Sequence, residues 1–348
     1  MSNPLSPIFL VVAANHLESM PMKFALCLLL FISLSSPSFA NPSLGVTTIE
    51  VAGNEAGRPL QLSIWYSGIG GTVESIGGNA VFSGESAVRD ASVVDQKFPL
   101  VLMSHGGLRS ARDSGAWLSV ALALSGYIVV EVNGPRPNSA AEAVNEIWKR
   151  PDDLARALDT VFNDPDWSQH IDKKRISVVG FALGGTAALM VAGGTLDTQS
   201  FTKSCDTVDV SPDCSWYGAQ SVSLDSVDVL ELEIPRRDPR IGSIVAIAPE
   251  FIQAISEGLS TIGPPIQIIL LGNENGLSSD ISANAAVHLL PNVKLSDGFQ
   301  VCTPAGPQIL AEDGGDPSLC GPSVEARLGA HLSISESIIS FLAEQASN

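Results

Sequence analysis

Positive charge is scarce in this sequence. Its 348 residues include 19 Lys and Arg against 37 Asp and Glu, which gives a formal net charge of −18. A surface this acidic repels the phosphates of nucleic acids and of anionic membranes, so nucleic acid is not expected as a partner. No apolar run reaches the roughly 20 residues that a membrane-spanning helix needs. A stable membrane span is therefore not expected either.

The apolar run near the N-terminus is too short to anchor the chain in a membrane. Lys23 precedes about ten mostly apolar residues, from Phe24 to Leu34, and small residues follow at Ser38 and Ala40. A basic residue, a short apolar core and small residues at its end are typical of a secretory signal peptide. We therefore expect residues 1–40 to be a leader, residues 41–348 to form one domain, and the protein to be secreted or periplasmic.

Cysteine is also infrequent. Of the five cysteines, Cys27 lies in the expected leader, which leaves four. No C-x-x-C pair or histidine at ligand spacing accompanies them, so metal binding is not expected. An even number of cysteines in an exported chain favours disulfides. Of the three possible connectivities, the expected one joins the close pairs Cys205–Cys214 and Cys302–Cys320.

The most informative stretch runs from Ile176 to Met190. An apolar strand breaks at a glycine-flanked turn and restarts as a helix, the pattern of the nucleophile elbow of an α/β-hydrolase. In that G-x-S-x-G motif two glycines flank a serine on a strained turn, where side chains would collide. Gly180 and Gly184 hold the glycine positions, but Ala182 stands where the attacking hydroxyl belongs. An ordinary strand–helix turn is the alternative interpretation.

A second hydrolase-like segment follows an apolar strand expected at residues 98–103. It contains the sequence His105-Gly106-Gly107. In α/β-hydrolases a backbone N–H of such a loop and the N–H after the nucleophile form the oxyanion hole, which binds the charge that develops in the transition state. The expected donors are Gly107 and Leu183. His105 is expected to brace the loop by hydrogen bonding.

Strands and helices alternate along the chain, which predicts an α/β fold class. The specific expectation is an α/β-hydrolase fold with a mostly parallel central sheet, helices on both faces and a small disulfide-clipped insertion. Residues 195–240 are expected to form a lid-like insertion, and residues 67–95 a long loop. Further strands are expected at 46–51 and 60–66, as antiparallel edge strands, and at 127–132, 241–248, 265–271 and 293–295, with helices at 111–125, 144–162 and 325–344.

Several short segments occur in a distinctive order along the chain. They are Arg58-Pro59, Trp65-Tyr66, Ser104-His105-Gly106, Trp148-Lys149-Arg150-Pro151-Asp152-Asp153, Arg175-Ile176 and Gly180-Phe181-Ala182-Leu183-Gly184-Gly185. In this order they resemble the secreted bacterial dienelactone hydrolase-like proteins, which are related to platelet-activating-factor acetylhydrolases. The resemblance covers most of residues 44–345. It implies an α/β-hydrolase fold and an esterase lineage acting on short acyl esters, lactones or lipid-like esters without a cofactor.

The sequence departs from that family at each position of the catalytic triad. Ala182 replaces the serine, and the family's aspartate position leaves only Glu274 or Asp280 as candidate acids. The segment that carries the base histidine in the family corresponds to residues 294–299, which contain no histidine. His331 is the other candidate base, although it is expected on a continuous helix as a packing or surface residue.

These departures lead to three hypotheses. The first is a catalytically silent exported hydrolase relative, a pseudoenzyme, that keeps a pocket for an ester or acyl-type small molecule or presents that surface to a protein partner. The second is an active carboxylic-ester hydrolase whose nucleophile has been changed to Ala182. The third is an enzyme that uses Glu250 or Glu274 as a general base. None of the three requires a cofactor.

Overall fold

The computed structural model describes residues 42–55, 57–106, 111–206, 212–257, 263–272 and 285–346. All of them belong to one structural unit, residues 40–348. Gly107, Glu274 and Asp280 lie outside the described residues.

A large, mostly parallel sheet forms the centre of this unit. The sheet strands are β1 (Pro42–Val51), β2 (Leu60–Ile69), β3 (Val73–Ile76), β4 (Glu85–Arg89), β5 (Ser92–Val93), β6 (Phe98–Ser104), β7 (Ile128–Asn133), β8 (Ile171–Phe181), β10 (Ser243–Ile247), β12 (Ile266–Leu271) and β13 (Ala286–Leu290); the short β9 (Thr195–Leu196) and β11 (Ile255–Glu257) pair separately. The strands of the sheet follow the order β13-β12-β10-β8-β6-β7-β2-β1-β4-β3, with β5 paired to β2.

Helices cover both faces of the sheet. The α-helices are α1 (Ala116–Leu124), α2 (Ala140–Ala143), α3 (Glu146–Asn163), α4 (Pro165–Ser168), α5 (Leu183–Ala192), α6 (Thr198–Thr202), α7 (Pro212–Ala219), α8 (Val229–Leu232), α9 (Gly306–Glu312) and α10 (Val324–Ala346). No helix in the described part of the chain is long and apolar enough to cross a membrane.

Strand β6 shows how the sequence produces a hydrophobic core on each face of the sheet. Alternate residues of a strand point to opposite faces, so a continuous apolar run is suited to a strand buried on both sides. Leu100 and Leu102 belong to the same core cluster as the buried residues of α3 and α5. Val101 and Met103 belong to the core cluster formed with α1 and α10. Because β6 lies between β7 and β8 in the sheet, its carboxyl end is central to any site at that edge.

The expected insertion at residues 195–240 contains short helices and turns. Cys205–Cys214 closes a loop within it, and Cys302–Cys320 closes another after the last strand, which confirms the expected disulfides. Arg236 ties the insertion to α3 through an ion pair with Asp152, Nε to Oδ1 at 2.9 Å. This segment is thus tied to α3.

Two expectations about the sheet are wrong. Residues 67–95 are not a loop, because they complete β2 and form β3, β4 and β5, so β1 is not at the edge of the sheet. The glycine and serine residues of this stretch are typical of a loop, and its strands bury only a few residues, such as Ala87 and Val88, so they leave little apolar pattern. The last strand is Ala286–Leu290, paired in parallel with β12, whereas Leu295 lies in the 3₁₀ turn Leu295–Gly298.

Helix positions agree better with expectation. The first expected helix begins later, at Ala116, and the last runs from Val324 to Ala346. Helix α3 continues through Pro151, where a kink or a fresh start is expected from the sequence.

Candidate functional site

The turn between β8 and α5 has the backbone geometry of a strained elbow. Ala182 adopts φ 53° and ψ −120°, a positive φ that residues with a side chain rarely occupy. Hydrogen bonds hold it there, because its N–H donates to Ile247 O at 2.9 Å and its carbonyl accepts from Gly185 N–H at 2.9 Å. Such strain persists only where the surroundings enforce it, and it is concentrated at functional sites.

The flanking glycines are required by close contacts between main chains. A Cβ on Gly180 would lie 2.0 Å from Gly184 O, and a Cβ on Gly184 would lie 1.8 Å from Ser104 O. A Cβ on Gly106 would lie 2.5 Å from the Ala182 Cβ. The end of β6, the following loop and the elbow are therefore packed backbone to backbone.

Leu183, one of the two expected oxyanion-hole donors, lies beside the loop after β6. A Cβ on Gly106 would also lie 2.8 Å from the backbone N of Leu183, so the His105-Gly106 loop sits beside one of the two expected donors. Gly107, the other expected donor, is outside the described residues. Ala182 and Leu183 are each only 3 % exposed. The elbow is therefore closely covered.

Part of that cover comes from residues 294–299. A Cβ on Gly298 would lie 2.2 Å from the Phe181 ring, so this segment lies directly against the residue before Ala182. The Phe299 ring is 6.0 Å from that of Phe181 and 5.8 Å from that of His105, measured between centroids. Phe82 packs against Phe299 at 6.3 Å. We call Phe82, His105, Phe181 and Phe299 the aromatic cluster.

His105 lies between two backbone carbonyls, and its neutral ring donates to one of them at a time. Nδ1 lies 2.8 Å from Gly106 O, and Nε2 lies 3.1 Å from Gly298 O. Burial lowers the pKa of His105 to about 4, although these backbone contacts oppose the shift. Arg150 donates to His105 O at 2.7 Å and holds the loop from the other side. His105 is thus neutral at pH 7 and packs between its own loop and residue 298.

His331 lies in α10, where the sequence predicts it. Its ring stacks on Trp117 with centroids 3.8 Å apart, and Nε2 donates to Phe299 O at 2.9 Å. Trp117 Nε1 in turn donates to Gly298 O at 2.9 Å. Burial lowers the pKa of His331 to about 4. These contacts fix the imidazole as a support for residues 298–299.

Of the three candidate carboxylates, only Glu250 is among the described residues. Glu274 and Asp280 fall outside the described residues. Glu250 follows β10 and is 7 % exposed. Its backbone N–H donates to Ala182 O at 3.2 Å, and its carbonyl accepts from the Thr186 hydroxyl. The charge of Glu250 is among the causes, after burial and Asp213, that raise the pKa of Tyr217.

A cavity of about 590 Å³, which we call the polar cavity, lies next to the elbow. It is bounded by the carboxyl ends of β6 and β7 and by the start of β2, where Gln61 pairs with Asn133. Ser104 and His105 line it on the side of the elbow. This cavity does not follow from the sequence, although the Arg58-Pro59 and Trp148–Asp153 segments that border it are among those carrying the family resemblance.

One wall of the polar cavity is a buried ion network. Arg58 donates to both Glu146 oxygens and, through Nε and Nη2, to Asp153 at 3.0 and 2.6 Å. Burial alone would lower the pKa of Arg58, but the two carboxylates raise it. Burial raises the pKa of Asp153, and Arg58 opposes that shift. Arg150 adds a further charge, with Nε 3.6 Å from Glu146.

Asp113 forms a second polar feature of the cavity. It has a positive φ of 57°, and its Oδ1 accepts from the Ser63 hydroxyl at 2.6 Å and from Asn133 Nδ2 at 3.2 Å. Behind it, Glu131 is 1 % exposed and accepts from Gly115 N–H at 2.7 Å. Burial, followed by the charge of Asp113, raises the pKa of Glu131 to about 8.

The described ranges contain no cluster of three His, Cys, Asp or Glu side chains that could hold a metal ion.

No protein-family model matches the chain, and no curated relative matches it. Among solved structures, it is similar to a ferulic acid esterase from Streptomyces cinnamoneus, with a TM-score of 0.54 and 16 % identity over 89 % of this chain and 92 % of that one. This likeness confirms the α/β-hydrolase fold.

Proposed function

We propose that this protein is an exported relative of α/β-hydrolase esterases that is silent as a serine hydrolase and retains a ligand pocket. The proposal includes the dienelactone hydrolase-like lineage that the sequence resembles. The observation that carries it is Ala182 in the strained elbow geometry, at φ 53° and ψ −120°. A methyl group can be neither deprotonated nor added to a carbonyl, so the elbow lacks its nucleophile.

The loss is large compared with what the rest of the site can supply. Removing a triad nucleophile costs about a million-fold in turnover, or roughly 8 kcal/mol of barrier. The remaining binding and oxyanion contacts supply about 10³–10⁴ over water. Neither expected histidine position supplies a free base, because residues 294–299 lack a histidine and His331 is engaged by Trp117 and Phe299.

Export and ligand binding are separate parts of the proposal. The leader expected at residues 1–40 and the two disulfides support a secreted or periplasmic location, where disulfides persist. The polar cavity supports binding of a small molecule, expected from the lineage to be an ester or acyl-type compound. A protein partner at the same surface is the other form of this proposal.

The test uses the oxidised mature chain, residues 41–348, with short p-nitrophenyl esters as substrates. We expect hydrolysis no more than about 10³–10⁴-fold above the uncatalysed rate, about a million-fold below a serine hydrolase. We expect little gain in Ala182→Ser, because a base would still be missing. Turnover by the unaltered protein that a serine-reactive fluorophosphonate abolishes would contradict the proposal.

Two other outcomes identify the competing hypotheses. Strong activity in Ala182→Ser would identify an active esterase changed at its nucleophile, with a base and acid intact. Activity of the unaltered protein that persists with fluorophosphonate and is lost in Glu250→Gln or Glu274→Gln would identify a carboxylate general base.

A further inference from the structure

We propose that the polar cavity binds a small hydroxylated carboxylate, of the sugar-acid class, and not an acyl chain. This inference rests on the proposed function, because it takes the protein to be a binder of small molecules, and it replaces the ester or acyl-type ligand expected from the lineage. It names the class of ligand that the geometry and chemistry of the cavity favour.

The first step is the position of the cavity. Ala182 and Leu183 are not among the described residues that line it, and both are 3 % exposed. The lining comes from the ends of β6 and β7, the start of β2, one side of α3 and the segments 77–79, 111–114 and 134–137. A ligand there would touch the His105 side of the loop and would not have to reach the covered elbow.

The second step is what the wall lacks. Apart from His105, no Phe, Tyr, Trp or His stands among the described residues that line the cavity. The larger aliphatic side chains are limited to Leu60 and Val132. A long acyl chain would need a continuous apolar wall, and a flat aromatic acid would gain from a stacking partner. The described lining therefore offers neither the apolar wall that an acyl chain needs nor, apart from His105, an aromatic ring for stacking.

The third step is the charge. In a chain with 19 basic and 37 acidic residues, the cavity gathers four arginines and four carboxylates. Arg58 and Arg150 are directed at Glu146 and Asp153, so these four charges largely satisfy one another. Glu50 accepts from Gln61. The charges that remain for a ligand are Arg112 and Arg136 at the exposed rim, together with Asp113 and the exposed Glu50.

The two rim arginines suit an anionic group. None of the ion pairs found among the described residues involves Arg112 or Arg136. A guanidinium presents donors in a planar fork that matches a carboxylate. In a protein of net charge −18, these residues would also draw an anion to this part of an otherwise repelling surface.

Asp113 suits hydroxyl groups. Its Oδ1 already accepts two hydrogen bonds, but no hydrogen bond within the described part of the chain uses Oδ2. A carboxylate has two oxygens that can accept, so Oδ2 can receive a hydroxyl of the ligand. Gly77 brings its main chain against this residue, since a Cβ there would lie 2.9 Å from the Asp113 Cβ. A volume of about 590 Å³ accommodates a sugar acid.

Calorimetric titration of the mature chain with D-galacturonate tests this inference. Galactose tests the need for the carboxylate, and octanoate tests the need for hydroxyls. We expect galacturonate to bind, and galactose and octanoate to bind at least about tenfold more weakly, a difference of roughly 1.4 kcal/mol. Octanoate binding more tightly than galacturonate would overturn the inference, as would no galacturonate binding at millimolar concentration.

Variants locate the site. Arg136→Gln and Arg112→Gln change exposed residues and should each weaken galacturonate binding by about tenfold, as should Asp113→Asn. Arg175→Gln is the matched control, because Arg175 is exposed and paired with Asp172 away from the cavity. Equal affinity in all of these variants would overturn the assignment.

The same preparation separates this inference from the proposed function. Ester hydrolysis sensitive to fluorophosphonate would contradict the silent elbow and leave galacturonate binding to be judged by the titration. A silent protein that does not bind galacturonate would contradict only the ligand class.

Discussion

The elbow at Ala182 and the polar cavity lie at the same edge of the sheet but differ in the groups that form them. The elbow is defined by main-chain contacts and covered by apolar groups, and Ala182 itself is 3 % exposed. The cavity is open, charged and lined by arginines and carboxylates. The comparison shows that two features of this sheet edge are separate. The strained backbone geometry is at Ala182, whereas the charged side chains line the neighbouring cavity.

The largest expected effect tests whether sterics alone define the elbow. In Gly184→Ala the new Cβ would lie 1.8 Å from Ser104 O, a backbone atom that cannot move without shifting β6. We expect a loss of more than about 4 kcal/mol in the free energy of unfolding, or failure to fold, measured by urea denaturation. Gly329→Ala in α10 meets nothing within 4 Å and should stabilise by up to about 1 kcal/mol. Similar results for both variants would contradict the steric account.

The next effect tests whether electrostatics define the cavity. Among the described residues, Arg58→Gln leaves Glu146 and Asp153 buried with Arg150 as the nearby cation that offsets their charge. Breaking such a pair costs about 3–5 kcal/mol, because uncompensated charge remains buried. Arg175→Gln removes an exposed ion pair and should change stability by less than about 1 kcal/mol. Chemical denaturation at pH 7 measures both, and a loss below that of the control would contradict the network's role.

Glu131, behind Asp113, gives a pH-dependent prediction. Its folded pKa of about 8 lies above the ordinary value of 4.5, so between these values the native state holds more protons than the unfolded state. Stability therefore falls as the pH rises from 4.5 to 8. Glu131→Gln, which is neutral at every pH, should be more stable than the unaltered protein at pH 9 by a few kcal/mol. Parallel stability curves between pH 6.5 and 9 would contradict this prediction.

The smallest expected effect concerns the histidines beside the elbow. The pKa values of His105 and His331 are lowered from 6.5 to about 4, so their contribution is complete above pH 6.5 and is lost as the pH falls toward 4. His331→Gln can still donate to Phe299 O, so it should reduce the slope of stability against pH in that window. Thermal unfolding between pH 4 and 7 measures the slope, and an unchanged slope would show that His331 is not buried as a neutral group.

The sequence predicts the elbow and the buried strands because their signals are local. Gly180 and Gly184 report a close approach of main chains, and the apolar run at residues 98–103 reports burial on both faces. The polar cavity is not predictable in this way. Arg58 and Asp153 are 95 residues apart, and only the pairing of β2 with β7 and the placement of α3 bring them together. The strand at Ala286–Leu290 escapes prediction because much of it is exposed.

The disulfide between Cys302 and Cys320 matters for how the protein is produced. It closes the loop that begins three residues after Phe299, so it restrains the chain next to the aromatic cluster and the elbow. Closing such a loop contributes about 3 kcal/mol, mostly by limiting the unfolded chain. A recombinant host whose cytoplasm keeps thiols reduced would deliver a protein without that restraint. The protein must therefore be exported during expression or refolded under oxidising conditions, so that assays use the form with the disulfide.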